Sequence, residues 1–588
     1  MTFLKKHWPI FAAVLSGICL ALCFEPWNVS SLIWFWQAPL LAALWFAKPN
    51  KEKTPRWRWG LGLGYLTGLA FFLTSQTWFI EVQHVAGNLA TGIVAWIGMC
   101  AYLAIYPALF GAFAATVGRW VPREPKESQP LKKKNPRFKQ PFPTKGKGDL
   151  FDQSFHVLKY AFLNGAAWCG LEWLRGIAFT GFAWNGLGVA LKDHLMLVQF
   201  ADVIGVDGYG FVLMFSGCIA FCTVVRLVRE IQERKRLRPH LDFAFGVALV
   251  MGLFLYGMGK ITDRPKETVE IRARILQMKV SMEDKWSEDK KLLQKIIFDY
   301  RDLTRAFVET ADYDLVLWPE TALPGYFSFP WMQDLLNDQI LKGDSFYLLT
   351  GLEDHNFSTS EIYNTITLMK GSTESYQSHR KIHLAPFGEY IPLRNSFPPF
   401  EWILGAIIAQ DFIPGESYEP LVIEKDGQEI GIIPSICIED TLGRHTRKFV
   451  REGPQLIVNV TNDAWFYESA EPAQHFANAL FRCIEIRRPM ARAANTGVSG
   501  FIDERGSVYD RNSSDSFARI IQDEETGDTY IRGSLPATLQ IDLNPPITFY
   551  ARFGNLFSVT LGAIALFFSV VQAIKTRKRK AGQAPLKA

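Results

Sequence analysis

Long apolar stretches constrain the fold of this 588-residue chain more than any other feature of its sequence. A helix that crosses the hydrocarbon core of a bilayer needs roughly 20 mainly apolar residues. Stretches close to that length lie at about 8–24, 31–47, 59–80, 89–118, 157–178, 197–225, 242–261 and 554–574. The sequence therefore predicts a multi-pass α-helical membrane domain with eight transmembrane helices, seven before and one after a long segment of ordinary globular composition.

The charged residues between these stretches indicate how the chain is oriented. Lys and Arg cluster in every second loop and in the tail, at 48–58, 120–155, 226–238 and 575–580. The intervening loops at 25–30 and 81–88 contain neither residue. Because basic loops remain on the cytoplasmic side, we expect both termini to be cytoplasmic and the globular segment to lie outside.

These segments predict three parts of the chain. Residues 1–262 would form transmembrane helices 1–7, residues 263–550 a globular domain, and residues 551–588 the eighth helix with a basic cytoplasmic tail. The cytoplasmic loop at about 120–155 is rich in Pro, Lys and Gln, and we interpret it as a solvated, disordered linker. Binding of anionic lipid headgroups by this loop is the less favoured alternative.

Composition excludes several classes of function. The chain is 48% hydrophobic and 21% charged, with a net charge of +5, and no basic face alternates with aromatic residues, so we expect no nucleic-acid partner. Its eight cysteines include no CxxC pair and no zinc-like spacing, so we expect neither a metal nor a cofactor. Cys437 and Cys483 alone fall in the globular segment, where a disulfide is less favoured than two free thiols.

The globular segment has the pattern of an α/β domain, with short β-rich runs separated by helical stretches. An amphipathic helix is predicted from about Ser287 to Thr310. Strands are predicted at Thr268–Met278, Tyr313–Trp318, Ser345–Gly351, Ile362–Met369, Glu429–Ile436 and Gln455–Val460.

Three reactive residues follow or end predicted strands. Glu320 comes after the strand of LVLWPE, Lys381 lies in SHRKIHLAPFGEY, and Cys437 ends the strand of GIIPSIC. Catalytic groups of α/β domains gather at the carboxyl ends of strands. Each residue alone is weak evidence, since most such carboxylates and lysines are simply solvated.

Together, four motifs resemble the nitrilase (carbon–nitrogen hydrolase) superfamily. They are WPE at 318–320, KIHLAPFGEY at 381–390, CIE at 437–439 and NDAWF at 462–466. With eight predicted spans, the resemblance narrows to the apolipoprotein N-acyltransferase family and covers nearly the whole chain. It implies a bacterial inner-membrane protein with a periplasmic, nitrilase-like α-β-β-α sandwich domain.

The resemblance implies a Glu–Lys–Cys triad, with Glu320 as general base, Cys437 as nucleophile and Lys381 stabilising the tetrahedral intermediate. A free thiol has a pKa near 8.5, so it needs a base at neutral pH. Supporting roles are expected for three further residues, Glu389, Ile438 and Glu439. The backbone N–H of Ile438 would help to bind the oxyanion, and Glu389 would either assist catalysis or hold Lys381 in place.

The resemblance also implies two lipid substrates. A glycerophospholipid would donate an acyl chain to Cys437 as a thioester, and the α-amine of a diacylglyceryl-cysteine on an apolipoprotein would accept it. Residues expected to bind substrate are Tyr326, Asn462, Trp465 and Phe466, with core packing as the alternative for the last two. The apolar stretches Leu323–Met332 and Phe397–Ile413 are expected to reach the bilayer as arms.

The chain departs from the family pattern at Tyr467, where we expect Gly, and at Ile438, where we expect Tyr. Two rival functions remain. A membrane-anchored amidase or hydrolase would share the chemistry but pass the acyl group to water, and a transporter or scaffold would carry an inactive fold. A soluble substrate would need one anchor rather than eight spans, and few ionisable residues lie within the spans, as transport would require.

Overall fold

The computed structural model describes residues 2–49, 54–122, 147–233, 239–263, 265, 267–285, 287–394, 396, 410–508 and 520–581. It contains a helical part built from both ends of the chain and an α/β part built from the residues between them. The two parts contact each other directly, for example through a hydrogen bond of 2.8 Å from Trp184 Nε1 to Gln474 Oε1.

Helices occupy each of the predicted apolar stretches. The long helices are, in chain order, α1 (Thr2–Ala21), α2 (Ala38–Phe46), α3 (Arg56–Ser75), α4 (Leu89–Leu103), α5 (Ile105–Ala114), α6 (Lys147–Arg175), α7 (Ala201–Gln232), α8 (Leu241–Thr262), α9 (Lys290–Val308), α10 (Glu471–Ile486) and α11 (Leu556–Ala581). Shorter helical turns lie at Ser30–Trp34, Thr77–Val82, Gln83–Ala86, Ala178–Thr180, Leu187–Leu191, Leu195–Val198, Met282–Lys285, Pro330–Leu335, Leu336–Leu341, Cys437–Thr441, Gly443–Thr446, Arg447–Phe449, Asp463–Phe466 and Phe549–Phe553.

The helical part has the composition of a membrane domain. Within the described residues, four helical ranges are long and apolar enough to cross a bilayer, namely Leu89–Ala114, Ala201–Gln232, Leu241–Thr262 and Leu556–Lys578. Shorter apolar helices lie at Lys6–Ala21 and Ser30–Phe46. Three of the four long ranges precede the α/β part and one follows it.

The structure corrects the predicted end of the basic loop. Helix α6 begins at Lys147 rather than after residue 155, and residues 123–146 lie outside the described part of the chain. Ser154 Oγ donates a 3.1 Å hydrogen bond to Asp242 Oδ1 of α8, and the other carboxylate oxygen of Asp242 pairs with Arg226 of α7. This contact with α8 stabilises the polar first turns of α6, which composition alone does not reveal.

The C-terminal helix joins the others through small residues. A Cβ built on Gly170 of α6 would lie 2.4 Å from Gly562 Cα of α11, so the two backbones touch there. Cys169 Sγ donates to Ser558 Oγ at 3.3 Å in the same contact. Close backbone approach at glycine is a common basis of helix association in membranes.

Two sheets form the α/β part. Their strands are β1 (Thr268–Gln277), β2 (Leu315–Leu317), β3 (Tyr347–Asn356), β4 (Glu361–Lys370), β5 (Ser372–Arg380), β6 (Leu421–Lys425), β7 (Gln428–Ile436), β8 (Gln455–Thr461), β9 (Met490–Ala494), β10 (Gly500–Ile502) and β11 (Gly533–Asp542). The six-stranded sheet has the order β11-β1-β2-β3-β4-β5, and the five-stranded sheet has the order β10-β9-β8-β7-β6. Parallel pairing relates β1, β2 and β3 in the first sheet and β7, β8 and β9 in the second.

The sheets pack face to face with a helix on each outer side. Leu317 and Val458 belong to one buried apolar cluster between the sheets. Phe307 of α9 packs on the outer face of the six-stranded sheet, and Cys483 of α10 packs on that of the five-stranded sheet. This confirms the expected α-β-β-α sandwich.

The six predicted strands are confirmed as β1 to β4, β7 and β8, and the predicted amphipathic helix is confirmed as α9. Strand β5 was not predicted because most of its side chains are exposed and polar, so it has no apolar run. Strand β9 is fully buried but consists of MARAA, a composition that does not favour strands.

The first expected arm is partly core. Phe327 and Met332 are buried in the α/β part. Trp331 is 45% exposed, and Phe357 at the tip of the β3–β4 hairpin is 60% exposed. Most of the second expected arm, residues 397–409, lies outside the described residues.

Candidate functional site

Cys437 sits at the junction between strand β7 and a short helical turn. It is the first residue of the turn Cys437–Thr441 and has a φ of +52°. Left-handed backbone is unfavourable for a residue with a Cβ and is often found at functional sites. Asn459 Nδ2 donates to Cys437 O at 3.2 Å and helps to hold this conformation. Cys437 and Cys483 are both free thiols, so the less favoured disulfide is not formed.

Glu320 and Lys381 meet at the ends of their strands. Glu320 follows β2, and Lys381 follows β5 directly. Lys381 Nζ lies 3.6 Å from Glu320 Oε1 and 2.9 Å from Glu389 Oε2, and the lysine is 1% exposed. Burial lowers the pKa of Lys381, but Glu389 and Glu320 outweigh it and raise the pKa above its ordinary value. The lysine is therefore a fixed positive charge.

Asn364 connects the two carboxylates. Its Nδ2 donates to Glu320 Oε1 and to Glu389 Oε1, each at 2.7 Å. The Ala385 backbone N–H donates to Glu389 Oε2 at 2.7 Å. In the sequence Asn364 falls within the predicted strand Ile362–Met369, and its contact with both acids is visible only in the fold.

The charges around Cys437 explain its resting state. Burial raises the pKa of the Cys437 thiol well above its ordinary value, Glu320 raises it further, and Lys381 opposes both. Burial also raises the pKa of Glu320, against the effect of Lys381. The resting cysteine is therefore a thiol, beside a buried carboxylate able to accept its proton and a cation able to stabilise the resulting negative charge.

Glu439 links the loop after Lys381 to the segment that carries Cys437. It accepts hydrogen bonds from the backbone N–H groups of Ile382 and His383, both at 2.8 Å, and of Ile436 at 2.9 Å. These bonds link the segment after Lys381 to the residue before Cys437. Burial alone would raise the pKa of Glu439, but His445 and the backbone donors lower it well below its ordinary value.

Two charged residues near Glu320 were not identified from the sequence. Lys285 Nζ donates to the backbone oxygens of Glu320 at 3.3 Å and Thr321 at 2.9 Å. Burial lowers the pKa of Lys285 to about 8, although Glu320 and Glu353 oppose the shift. Glu353 of β3 lies directly opposite Asn364 of β4 in the antiparallel strand pair. Burial raises the pKa of Glu353. Neither lies in a motif, so no local signal marked them.

The expected substrate-binding residues lie in different surroundings. Trp465 and Phe466 are half-buried in the turn Asp463–Phe466, and Phe466 meets Trp78 edge to face at 4.8 Å. Asn462 is buried and donates to Met282 Sδ at 3.3 Å, so its amide serves internal packing.

Tyr326 and Ile438 complete the expected set. Tyr326 is half-buried in an aromatic group, with ring centroids 5.3 Å from Phe329 and 5.2 Å from His355. Ile438 is the second residue of the turn Cys437–Thr441. The first N–H groups of a helix lack partners within it, so this backbone N–H suits an oxyanion.

One group of side chains among the described residues has the spacing of a metal site: Asp463, Glu471 and His475. His475 Nε2 lies 2.8 Å from Asp440 Oδ1, and His475 Nδ1 lies 3.1 Å from Asp463 Oδ1. Arg492 Nη2 is 3.4 Å from Asp463 Oδ2. Because both imidazole nitrogens and a guanidinium already face these acids, we interpret the group as a buried ion-pair network.

Comparisons with known proteins agree with both parts of the fold. The family model described as apolipoprotein N-acyltransferase N-terminal domain matches residues 16–219, and that described as carbon-nitrogen hydrolase matches residues 272–521. The chain is 30% identical over 508 residues to an apolipoprotein N-acyltransferase of Methylococcus capsulatus, covering 84% of this chain and 86% of that protein. It is 28% identical over 587 residues to one of Geobacter metallireducens, covering 96% and 95%.

Among solved structures, the chain is similar to a CN-hydrolase superfamily protein from Xanthomonas campestris. The TM-score is 0.31 at 16% identity, and the match covers 46% of this chain and 91% of that chain.

Proposed function

Because the chain belongs to the apolipoprotein N-acyltransferase family, we propose that Cys437, Glu320 and Lys381 are the catalytic residues with which it transfers an acyl chain to a lipoprotein amine. The observation that supports this proposal best is the cluster joining Lys381 to two carboxylates, 3.6 Å from Glu320 and 2.9 Å from Glu389. A buried base, a fixed cation and a thiol within their electrostatic reach are the groups that thioester chemistry needs.

The first half-reaction forms the acyl-enzyme. Glu320 accepts the Sγ proton of Cys437 as the sulfur attacks the ester carbonyl of a glycerophospholipid. Lys381 and the Ile438 N–H stabilise the oxyanion of the tetrahedral intermediate. The carbon–oxygen bond to the glycerol then breaks, the leaving alkoxide takes the proton from Glu320, and a lysophospholipid departs.

The second half-reaction transfers the chain. The α-amine of a diacylglyceryl-cysteine on the apolipoprotein attacks the thioester and loses a proton to Glu320. The carbon–sulfur bond breaks, an amide forms, and Cys437 regains its proton. An α-amino group has a pKa near 8, so a base assists this step as well.

The membrane part gives both lipids access to the site. Withdrawing an acyl chain into water costs about 0.8 kcal/mol per methylene, so the site must open towards a leaflet. We propose eight spans with cytoplasmic termini and a periplasmic catalytic domain in the inner membrane, as the alternating basic loops indicate. The exposed rings of Trp331 and Phe357 are suited to the bilayer interface.

Tyr326, Trp465 and Phe466 are proposed to line the acyl path. All three are half-buried, and Phe466 and Tyr326 belong to aromatic groups. Glu389 is proposed to hold Lys381 in position, because it makes the shorter of that lysine's two carboxylate contacts.

Mass spectrometry of the intact protein after incubation with phospholipid vesicles tests the mechanism. We expect one acyl adduct on Cys437 in the wild type, none in Cys437→Ala, and loss of the adduct when a diacylated lipopeptide is added. The matched control is Cys483→Ala, which removes a buried thiol of the same domain and should retain the adduct. Release of free fatty acid without lipopeptide acylation would instead identify a hydrolase.

A further inference from the structure

Gln474 lies near the start of α10, and both the oxygen and the nitrogen of its side-chain amide form hydrogen bonds with the helical part. Its side chain is 1% exposed. Its Oε1 accepts from Trp78 Nε1 at 3.1 Å, Trp184 Nε1 at 2.8 Å and Asn185 Nδ2 at 3.1 Å. Its Nε2 donates to Glu25 O at 2.7 Å and to Ser75 O at 2.9 Å. An amide has two N–H donors and one acceptor oxygen, so every donor and acceptor of this side chain has a partner.

The partners of Gln474 come from three separate connections of the helical part. Glu25 follows α1, Ser75 ends α3 with Trp78 just beyond it, and Trp184 and Asn185 follow α6. One side chain of the α/β part therefore fixes three connections that lie on the proposed outer side of the membrane.

The next residue, His475, faces the catalytic segments. Its imidazole contacts Asp440, three positions after Cys437, and Asp463 in the turn that carries Trp465. The His475 ring also lies 5.3 Å from the ring of Trp184. Two consecutive residues of α10 thus connect the helical part with the turns of the nucleophile and of the aromatic pair.

We propose that Gln474 is a positioning residue. It holds the turn Cys437–Thr441 in a fixed position relative to the three connections of the helical part that lie on the proposed outer side of the membrane. The proposal rests on the function proposed above but concerns delivery of the lipid rather than the chemistry of the thiol. Only an amide satisfies this site, because three donors converge on one atom and two carbonyl oxygens on the other. A carboxylate would accept but could not donate, and an apolar group would leave buried polar groups without partners.

The test compares two acyl donors for the same cysteine in the full-length protein. A phospholipid in vesicles must enter through the membrane part, whereas a water-soluble short-chain p-nitrophenyl ester reaches Cys437 directly. In Gln474→Leu and Gln474→Glu, we expect thioester formation from phospholipid to fall about tenfold or more, as for a lost buried hydrogen bond. The rate with the soluble ester should match that of the wild type.

Gln540→Leu is the matched control, since it makes the same chemical change on β11, where the amide donates to Glu270 at the surface. Both of its rates should equal those of the wild type. Equal losses of rate with both acyl donors in the Gln474 variants would overturn the proposal. Wild-type rates with both donors would overturn it as well. A wild type that forms no thioester from either donor would refute the proposed function instead.

If the Gln474 variants do not accumulate in membranes, a second variant tests the same proposal. The double variant Trp78→Phe and Trp184→Phe keeps an aromatic ring at each position but removes two of the N–H donors to Gln474 Oε1. The same selective loss with phospholipid is expected. Unchanged phospholipid rates in this variant would overturn the proposal.

Discussion

At the scale of single residues, the site depends on how a few polar groups share their partners. Asn364 Nδ2 serves two carboxylates at 2.7 Å each, and Lys381 contacts the same two acids. Removal of any one member leaves buried charge without compensation, which is costly in a low-dielectric interior. A single substitution in this cluster should therefore change the pKa values of its neighbours as well as the rate of thioester formation.

Asn364→Leu should shift the pH dependence of acylation. Burial raises the pKa of Glu320, and the hydrogen bond from Asn364 opposes that shift. Without the bond the pKa rises further, so the carboxylate is ionised only at higher pH. The acidic limb of the kcat/KM profile for thioester formation should move to higher pH, because Glu320, as the proposed base, must be ionised to accept the thiol proton.

Asn544→Leu provides the control, since Asn544 is exposed and distant in sequence from the triad. Its pH profile should match that of the wild type. An Asn364→Leu profile with a lower plateau and an unmoved acidic limb would contradict the role assigned to this hydrogen bond.

Glu439→Gln should lower thermal stability in a pH-dependent way. The pKa of Glu439 is lowered in the folded protein, so its contribution to stability is present above the unfolded value of about 4.3 and is lost as pH falls through the folded value. The difference in Tm between wild type and variant should be largest near neutral pH and shrink in acid. Thermal unfolding in detergent at several pH values measures it, with the exposed Glu416→Gln as control.

At the scale of elements, the loop after β8 carries a strained residue. Tyr467 has a φ of +49° and a ψ of −155°, a combination that strongly favours glycine. Its ring lies 4.0 Å from that of His84, and its hydroxyl donates to Glu283. The loop of Trp465 and Phe466 is thereby tied to the helical part and to the short helix Met282–Lys285.

Tyr467→Gly should stabilise the fold and loosen this loop. Relief of backbone strain is worth about 1–3 kcal/mol, whereas a partly exposed hydrogen bond contributes about 1 kcal/mol. We expect a higher Tm, together with faster proteolysis or hydrogen exchange in residues 462–470. Tyr467→Phe keeps the strain and the ring but loses the hydroxyl, so it should lower the Tm slightly. A lower Tm for Tyr467→Gly would contradict the estimate of strain.

At the scale of the whole molecule, the two parts are joined by contacts between residues far apart in sequence. The Trp184–Gln474 bond spans 290 positions and the Glu25–Gln474 bond 449. Arg487 also donates to Asp202 of α7 at 2.8 Å. Such contacts fix the α/β part on one end of the helical part, so the orientation of the helices decides which side of the membrane carries the site.

Cysteine labelling tests that orientation. Ser360→Cys places a thiol at the exposed β3–β4 hairpin, and Thr576→Cys places one on the exposed face near the end of α11. In cells whose outer membrane is permeabilised, a membrane-impermeant maleimide should label the first and leave the second unlabelled until the inner membrane is broken. Wild-type protein gives the background from Cys437. The reverse pattern would place the catalytic domain in the cytoplasm.

Local signals were sufficient for much of the fold and for the core of the site. The apolar runs, the alternation of β1 and the periodicity of α9 are each contained in a short window, and motifs marked Glu320, Lys381 and Cys437. Strand β5 was not predicted because its polar, exposed side chains form no apolar run, and the start of α6 was not predicted because a contact with the distant helix α8 stabilises it.

The sequence by itself indicated the class of membrane part and the α/β sandwich and supplied the motifs of the proposed triad, because helix length, side-chain alternation and motif chemistry act over a few tens of residues. Only the tertiary structure decided that Asn364 joins two acids, that Lys285 and Glu353 lie beside Glu320, and that Gln474 connects the two parts. These arrangements depend on packing between segments far apart in the chain, and no local pattern encodes which buried donor will meet which acceptor.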